Sequence, residues 1–274
     1  MRLGPKGPVL RHLYNETPLL ALLTHTNPHA VTLRLLLFLG ASSLLSSCAS
    51  VYFPPPAAAP MLTQKGEFSG GLHTNWKANV SAQGAYAVGE HVGLIGTASF
   101  LHTDGKRNIF DQDFGELGVG YHTRFGQDES RILEVYAGGG FGSGKRTERT
   151  RAGEVTKTVQ ARMEKYFAQV NYTKKDRDAF NFLGRTWEFR YGAAMRLSYV
   201  NTPELMLNGQ RIPGEDNIFF EPVTYTRIGL IGPLKFQSMS GWNFGLKNRK
   251  YLTAGNSVFS LGLIINVGGD GRGE

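Results

Sequence analysis

The sequence predicts an all-β chain: an antiparallel up-and-down β-barrel of ten strands, with eight as the alternative, behind a disordered or extended N-terminal segment. Three observations carry this expectation. From residue 67 onward, apolar and polar residues alternate in runs of about ten to fourteen, the two-residue period of a strand. Turn-rich stretches separate the runs. The chain also holds 35 glycines and 17 phenylalanines, and glycine is poor in helices while aromatic residues suit a pleated surface. A mean hydropathy of -0.24 goes with the lack of any segment after residue 47 that is continuously apolar for the roughly 20 residues a membrane helix needs. It leaves a transmembrane barrel open, because barrel strands alternate.

At the N-terminus, the run from Leu35 to Leu45 is apolar or small throughout, carries no charge and follows Arg34. It is too short to span a bilayer as a helix and has the length of the apolar core of a secretory signal. The next residues, Leu45, Ser46, Ser47 and Cys48, resemble the lipobox of bacterial lipoproteins. That resemblance implies cleavage after residue 47 and acylation of Cys48, so that 1–47 is a signal peptide. Cys48 is the only cysteine, which excludes an intramolecular disulfide; the competing reading is an unpaired thiol inside an ordinary signal. Residues 1–30, with Pro5, Pro8, Pro18 and Pro28, form an unusual preamble. A start at Val31, read from a GTG codon, gives the signal conventional proportions.

The formal charge of +8 falls on removal of 1–47 but stays basic. The charges are dispersed and the chain carries an export signal, so nucleic acid is not the expected partner. Outer-membrane lipid is, and lipopolysaccharide in particular. Residues 48–66 contain Pro54-Pro55-Pro56-Ala57-Ala58-Ala59-Pro60, expected to form a stiff, extended tether that spaces the folded part from the membrane surface.

The barrel is expected over 67–268, with a flexible tail at 269–274. Its strands are placed near 67–76, 78–88, 91–102, 112–124, 131–143, 163–174, 186–200, 217–230, 234–247 and 256–268. The run from Trp187 to Tyr199 is the clearest: every odd position is apolar or aromatic, and the even positions include Glu188, Arg190, Arg196 and Ser198. Aromatics at both ends of an apolar face suit a lipid-facing strand, because amphipathic rings favour the two membrane interfaces. Trp76, Tyr121, Trp187, Tyr199 and Trp242 are the expected interface aromatics. A soluble β-barrel or sandwich also alternates, but its strands average about 5 to 6 residues. Tight turns at 88–91 and 231–234, set against long loops after the fifth and seventh strands, give the asymmetry of an outer-membrane barrel. An even strand count then puts both ends of the barrel on the periplasmic side.

On this pattern the mature chain resembles the small outer-membrane β-barrel proteins of Gram-negative bacteria, combined with a lipoprotein signal. The resemblance implies a lipid-anchored place in the outer membrane, or, for a soluble fold, on its periplasmic side. One departure is the ending Gly268-Gly269-Asp270-Gly271-Arg272-Gly273-Glu274, where such barrels usually end on an aromatic residue.

The chemistry is sparse. Glu116, Glu134, Glu188, Arg190, Arg196 and Arg227 fall on the lumen-facing set. A barrel this narrow is filled by side chains, and buried charges must be paired. A Glu/Arg network that plugs the lumen is therefore expected, with a pore or ligand cavity as the alternative. His102, Asp104, Asp111 and Asp113 gather at one rim, but their spacing matches no triad or dyad. Gly138–Lys145 lacks the spacing of a phosphate loop and reads as glycines that let a strand bend or a backbone pass. Residues 145–162, rich in arginine and lysine, read as a basic surface loop able to hold lipopolysaccharide phosphates. No cofactor is expected, and no metal, since the seven histidines have no paired spacing. Three functions follow: a non-enzymatic barrel lipoprotein with a structural, surface-interaction or small-solute role; a rim-active barrel enzyme acting on lipid or peptide; a periplasmic lipoprotein with a soluble β-fold.

Overall fold

The computed structural model describes residues 50–274 apart from 78, 127–128, 176–179, 183–184, 254–256 and 270–274. The expected signal peptide, its lipobox Leu45-Ser46-Ser47, Cys48 and most of the tail lie outside the described residues.

Ten strands form the wall: β1 (Phe68–Thr74), β2 (Asn79–Ala87), β3 (Val92–Asp104), β4 (Asn108–Phe125), β5 (Arg131–Arg149), β6 (Val155–Lys175), β9 (Phe189–Leu207), β11 (Asp216–Ile231), β12 (Leu234–Trp242) and β14 (Ser257–Val267). Four short pieces lie between them: β7 (Phe180–Phe182), β8 (Arg185–Trp187), β10 (Gln210–Ile212) and β13 (Phe244–Gly245). Each wall strand pairs antiparallel with its neighbours in sequence order, and β1 pairs with β14 to close the ring. Closure removes every free wall edge, which is what a sheet in lipid requires. No helix is present among the described residues.

The two-residue period sorts the side chains. On β3, Gly93, Ile95, Thr97, Ser99 and Leu101 are buried inside, while Leu94 and Phe100 are exposed outside. The outward set is apolar around the ring, with Tyr121, Tyr172 and Tyr191 at one level and Phe100, Phe141, Tyr166 and Tyr199 at the other. At about 3.3 Å per residue, the stretch from Tyr191 to Tyr199 measures roughly 26 Å along the strand, which at the tilt of about 35–45° usual for outer-membrane barrels is roughly 20 Å of height, a little under their apolar band of about 25 Å.

The wall is uneven in height. β4, β5, β6 and β9 run 18, 19, 21 and 19 residues, whereas β1, β2 and β12 run 7, 9 and 9. The extra length lies at one end, here the hairpin end; the tight turns 88–91 and 232–233 lie at the other, the turn end. Gly232 has φ of 51°, a left-handed value that costs glycine nothing, so β11 can reverse directly into β12.

Three expectations need correction. The basic stretch 145–162 is not a loop: β5 continues to Arg149 and β6 begins at Val155, paired from Lys145↔Gln160 to Arg149↔Val155. Likewise the long loop after the seventh wall strand is largely strand, since β9 runs to Leu207 and folds back through β10. Backbone pairing decided both, because ladder bonds form whatever the side chains are, and the adjoining strands supply them. The third correction concerns 48–66. From Val51 to Leu62 every residue is buried, inside the barrel, so the proline-rich segment is no exposed spacer. β1 and β14 do have their outer ends of chain at the turn end, yet the chain ahead of β1 returns through the lumen to the hairpin end.

Candidate functional site: the occupied lumen

A proline-rich segment forms no internal hydrogen bonds, and proline lacks an N–H. Buried backbone groups nonetheless have to be paired. Here the wall supplies the partners in sequence. At the hairpin end the Ser50 hydroxyl donates to the Thr253 carbonyl at 3.0 Å, and the Val51 N–H to the Tyr251 carbonyl at 2.9 Å. Gln112 of β4 clamps Phe53, its Oε1 accepting from the N–H at 2.7 Å and its Nε2 donating to the carbonyl at 2.6 Å. Gln83 of β2 donates to the Pro56 carbonyl at 3.0 Å. Gln169 and Asn171 of β6 both donate to the Ala58 carbonyl, at 2.6 and 3.0 Å. Arg227 of β11 donates to the carbonyls of Ala59 at 2.6 Å and Pro60 at 3.1 Å. Glu134 of β5 accepts from the N–H groups of Leu62 at 3.0 Å and Met61 at 3.4 Å. At the turn end the Thr63 N–H donates to Glu67 at 2.6 Å. Met61 sits at φ of 61°, a conformation rare for a side-chain-bearing residue, where its N–H meets Glu134.

Apolar contacts fill the remaining space. Val51 and Tyr52 pack at the mouth with Phe114, Met163, Leu205, Phe219, Tyr251 and Leu252. Ala57, Ala59 and Met61 lie against Ile132, Ala194, Val223, Tyr225 and Met239, and Ala58 and Leu62 against Ile95, Tyr136 and Phe167. The small alanines let the backbone come close enough for the polar ladder. Gly144 does the same from the wall, because a Cβ there would stand 2.4 Å from the Val51 carbonyl oxygen. A void of about 10 Å³ beside Ala58, Ala59 and Pro60 is at the lower limit of what one water needs.

Of the six charges expected in the lumen, Glu116, Glu134, Arg196 and Arg227 are buried there. Glu116 joins Lys165 at 2.8 Å and Arg196 at 2.9 Å, and Lys165 reaches Glu221 at 3.3 Å. Arg196 also donates to Gln169 at 2.7 Å and lies over the Phe167 ring, 4.7 Å from its centre. The network touches the threaded segment through the Tyr52 hydroxyl, which donates to Glu221 at 3.2 Å. Glu188 and Arg190 are half-buried at the turn end, where Arg190 faces Arg227 in register. Sequence reasoning missed Gln83, Gln112, Lys165, Gln169, Asn171 and Glu221. Their signal was positional: each falls on the inward set of its strand.

The aromatics expected at the interfaces sit outside the barrel in four cases. Trp76 is 85% exposed and stacks on Phe259 with ring centres 6.1 Å apart, and Tyr121, Tyr199 and Trp242 are also exposed. Trp187 is half-buried on the β7–β8 hairpin. At the rim, His102 Nε2 lies 3.9 Å from Asp113 Oδ1, both side chains more than half exposed on the outer face. Asp104 pairs instead with Arg149 at 3.6 Å. Asp111, Asp113, Lys145, Arg162 and Glu204 line a shallow depression of about 260 Å³ on the outer face of β4, β5, β6 and β9. No group of three or more His, Cys, Asp or Glu placed to hold a metal occurs among the described residues.

No protein-family model and no curated protein matches the chain. Among solved structures it is similar to the translocator domain of the autotransporter NalP from Neisseria meningitidis, at 9% identity over 73% of this chain and 85% of that one, with a TM-score of 0.39. It is also similar to the ferripyoverdine receptor of the outer membrane of Pseudomonas aeruginosa, at 9% identity over 76% of this chain and 40% of that one, with a TM-score of 0.21. The fold is a closed, antiparallel β-barrel with a ten-stranded wall, on the evidence of its own pairing.

Proposed function

We propose that this chain is a self-plugged outer-membrane barrel lipoprotein with a non-enzymatic, structural or surface-interaction role, in which the hairpin end faces outward and the turn end faces the periplasm. One observation carries the reading: residues 50–63 fill the lumen and are bonded to the wall along their length. A solute would have to break that ladder to pass. The outward apolar band and its two aromatic levels support the membrane setting, and the taller wall at the hairpin end supports the orientation.

The lipid anchor at Cys48 is part of the same reading and is supported by the lipobox resemblance. The paired extension of β5 and β6 carries Lys145 and Arg162 on its outer face above the apolar band, where lipopolysaccharide phosphates lie, and is the surface proposed to meet them. What supports the non-enzymatic reading is that His102 and Asp113 stand more than half exposed on the outer face, without the burial that catalytic pairs use.

The experiment is single-channel recording of the purified protein in planar bilayers. The expected result is a silent membrane with wild type and flickering openings with a Gln112→Ala, Gln169→Ala, Arg227→Ala variant. Steady, stepwise conductance from wild type would overturn the plugged reading.

A further inference from the structure

We propose that the chain ahead of Ser50 leaves the barrel on its outer face, so that the acyl chains expected on Cys48 enter the outer leaflet of the outer membrane. This rests on the lipoprotein reading above and reverses the periplasmic placement that a barrel with an even strand count suggests for an N-terminal anchor.

The direction of the threaded segment follows from its partners. Ser50 and Val51 bond to Thr253 and Tyr251, in the connection between β13 and β14 at the hairpin end. Leu62 and Thr63 meet Glu134 and Glu67, at the turn end. The segment therefore runs from the hairpin end to the turn end before β1 carries the chain back.

The height of the exit also follows. Trp76, exposed and stacked on Phe259, marks the upper interface on the short side of the wall. Its neighbour Lys77 lies 5.2 Å from the centre of the Phe53 ring, which puts Phe53 level with that rim. Ser50 comes three residues earlier, where the chain bends at Val51 and the Ser50 hydroxyl bonds back to Tyr52, so Ser50 stays within the hairpin-end mouth. Covalent geometry alone keeps the α-carbon of Cys48 within about 7 Å of that of Ser50. Ser50 and Val51 are tied to the connection that leads into β14, and β1, β2 and β12 are the short strands of the wall, so acyl chains leaving the mouth over that low side reach the outer leaflet across a short rim. Two or three acyl chains buried in the bilayer would hold the N-terminus there.

The test is an epitope inserted between Ala49 and Ser50 in the full chain, probed with antibody on intact cells and after permeabilising the outer membrane. An epitope at Gly153, the tip of the β5–β6 hairpin, is the outer control, and one between Lys65 and Gly66 the periplasmic control. The expected signal on intact cells equals that of the Gly153 epitope, with the Lys65 epitope reached only after permeabilisation. An Ala49 epitope hidden until permeabilisation, beside a reachable Gly153 epitope, overturns the proposal while leaving the barrel reading intact. A hidden Gly153 epitope overturns the orientation of the barrel itself. An unacylated Cys48 in the mass of the N-terminal peptide overturns the anchor.

A second variant guards against insertions that fail to fold. With Cys48 kept, its thiol being taken up by acylation, Ser50→Cys with Thr253→Cys is expected to form a disulfide that a membrane-impermeant reductant opens on intact cells. Thiols that stay reduced under oxidant, or a bond reduced only after permeabilisation, overturn the outward exit.

Discussion

Arg227 is a buried cation whose hydrogen bonds go to the carbonyls of Ala59 and Pro60 and to the side-chain oxygens of Gln237 and Asn266. Removing it takes the hydrogen-bond donor from two buried carbonyls. Hydrogen bonds to a charged group are worth about 1.5 to 3 kcal/mol each, so Arg227→Ala is expected to cost about 3 kcal/mol or more in urea unfolding of the folded barrel. Arg227→Lys keeps the charge but not the fork, and about half the loss is expected. A cost below about 0.5 kcal/mol for the alanine variant would mean the segment does not depend on this contact. At Gly144 the change is steric. Gly144→Val places carbon where the Val51 carbonyl sits, and the expected outcome is chymotrypsin cleavage after Tyr52 in a barrel that still migrates as folded. The buried charges Glu116, Glu134, Arg196 and Arg227 were legible because a charge on the inward set of a closed barrel's strand has nowhere to go but the lumen. The glutamines and Asn171 were not, since a neutral amide on an inward position looks the same whether it lines water or binds a backbone.

At the scale of elements, alternation located all ten wall strands, and it failed where both faces were polar. On β5 beyond Gly142 the inward positions hold Gly144 and Arg146 and the outward ones Ser143 and Lys145, so no apolar face announces the strand. The proline-rich segment was misplaced for a related reason. Proline and alanine carry no period, and the segment is buried by a ring that sequence-local reasoning does not see. Its prolines should matter through the unfolded chain, whose freedom they restrict. Replacing Pro54, Pro55 and Pro56 by alanine is expected to destabilise the barrel by about 1 to 3 kcal/mol in total, taking about 0.4 to 1 kcal/mol per site. Urea midpoints of single and triple variants check both the size and the additivity.

For the whole molecule, the central property is a ring closed around its own N-terminal segment. β1 meets β14 through seven register pairs, from Phe68↔Val267 to Thr74↔Leu261, and that seam joins the first wall strand made to the last. Once it has formed, Ser50 and Thr63 lie at opposite mouths of a channel whose bore is full. A folded passenger fused ahead of Ser50 is too wide to follow the chain through. It would stay for the life of the barrel on whichever side it occupied when the seam closed, like a bead caught on one side of a drawn knot. The position of such a passenger is thus a permanent record of the moment of closure, readable long after assembly has ended.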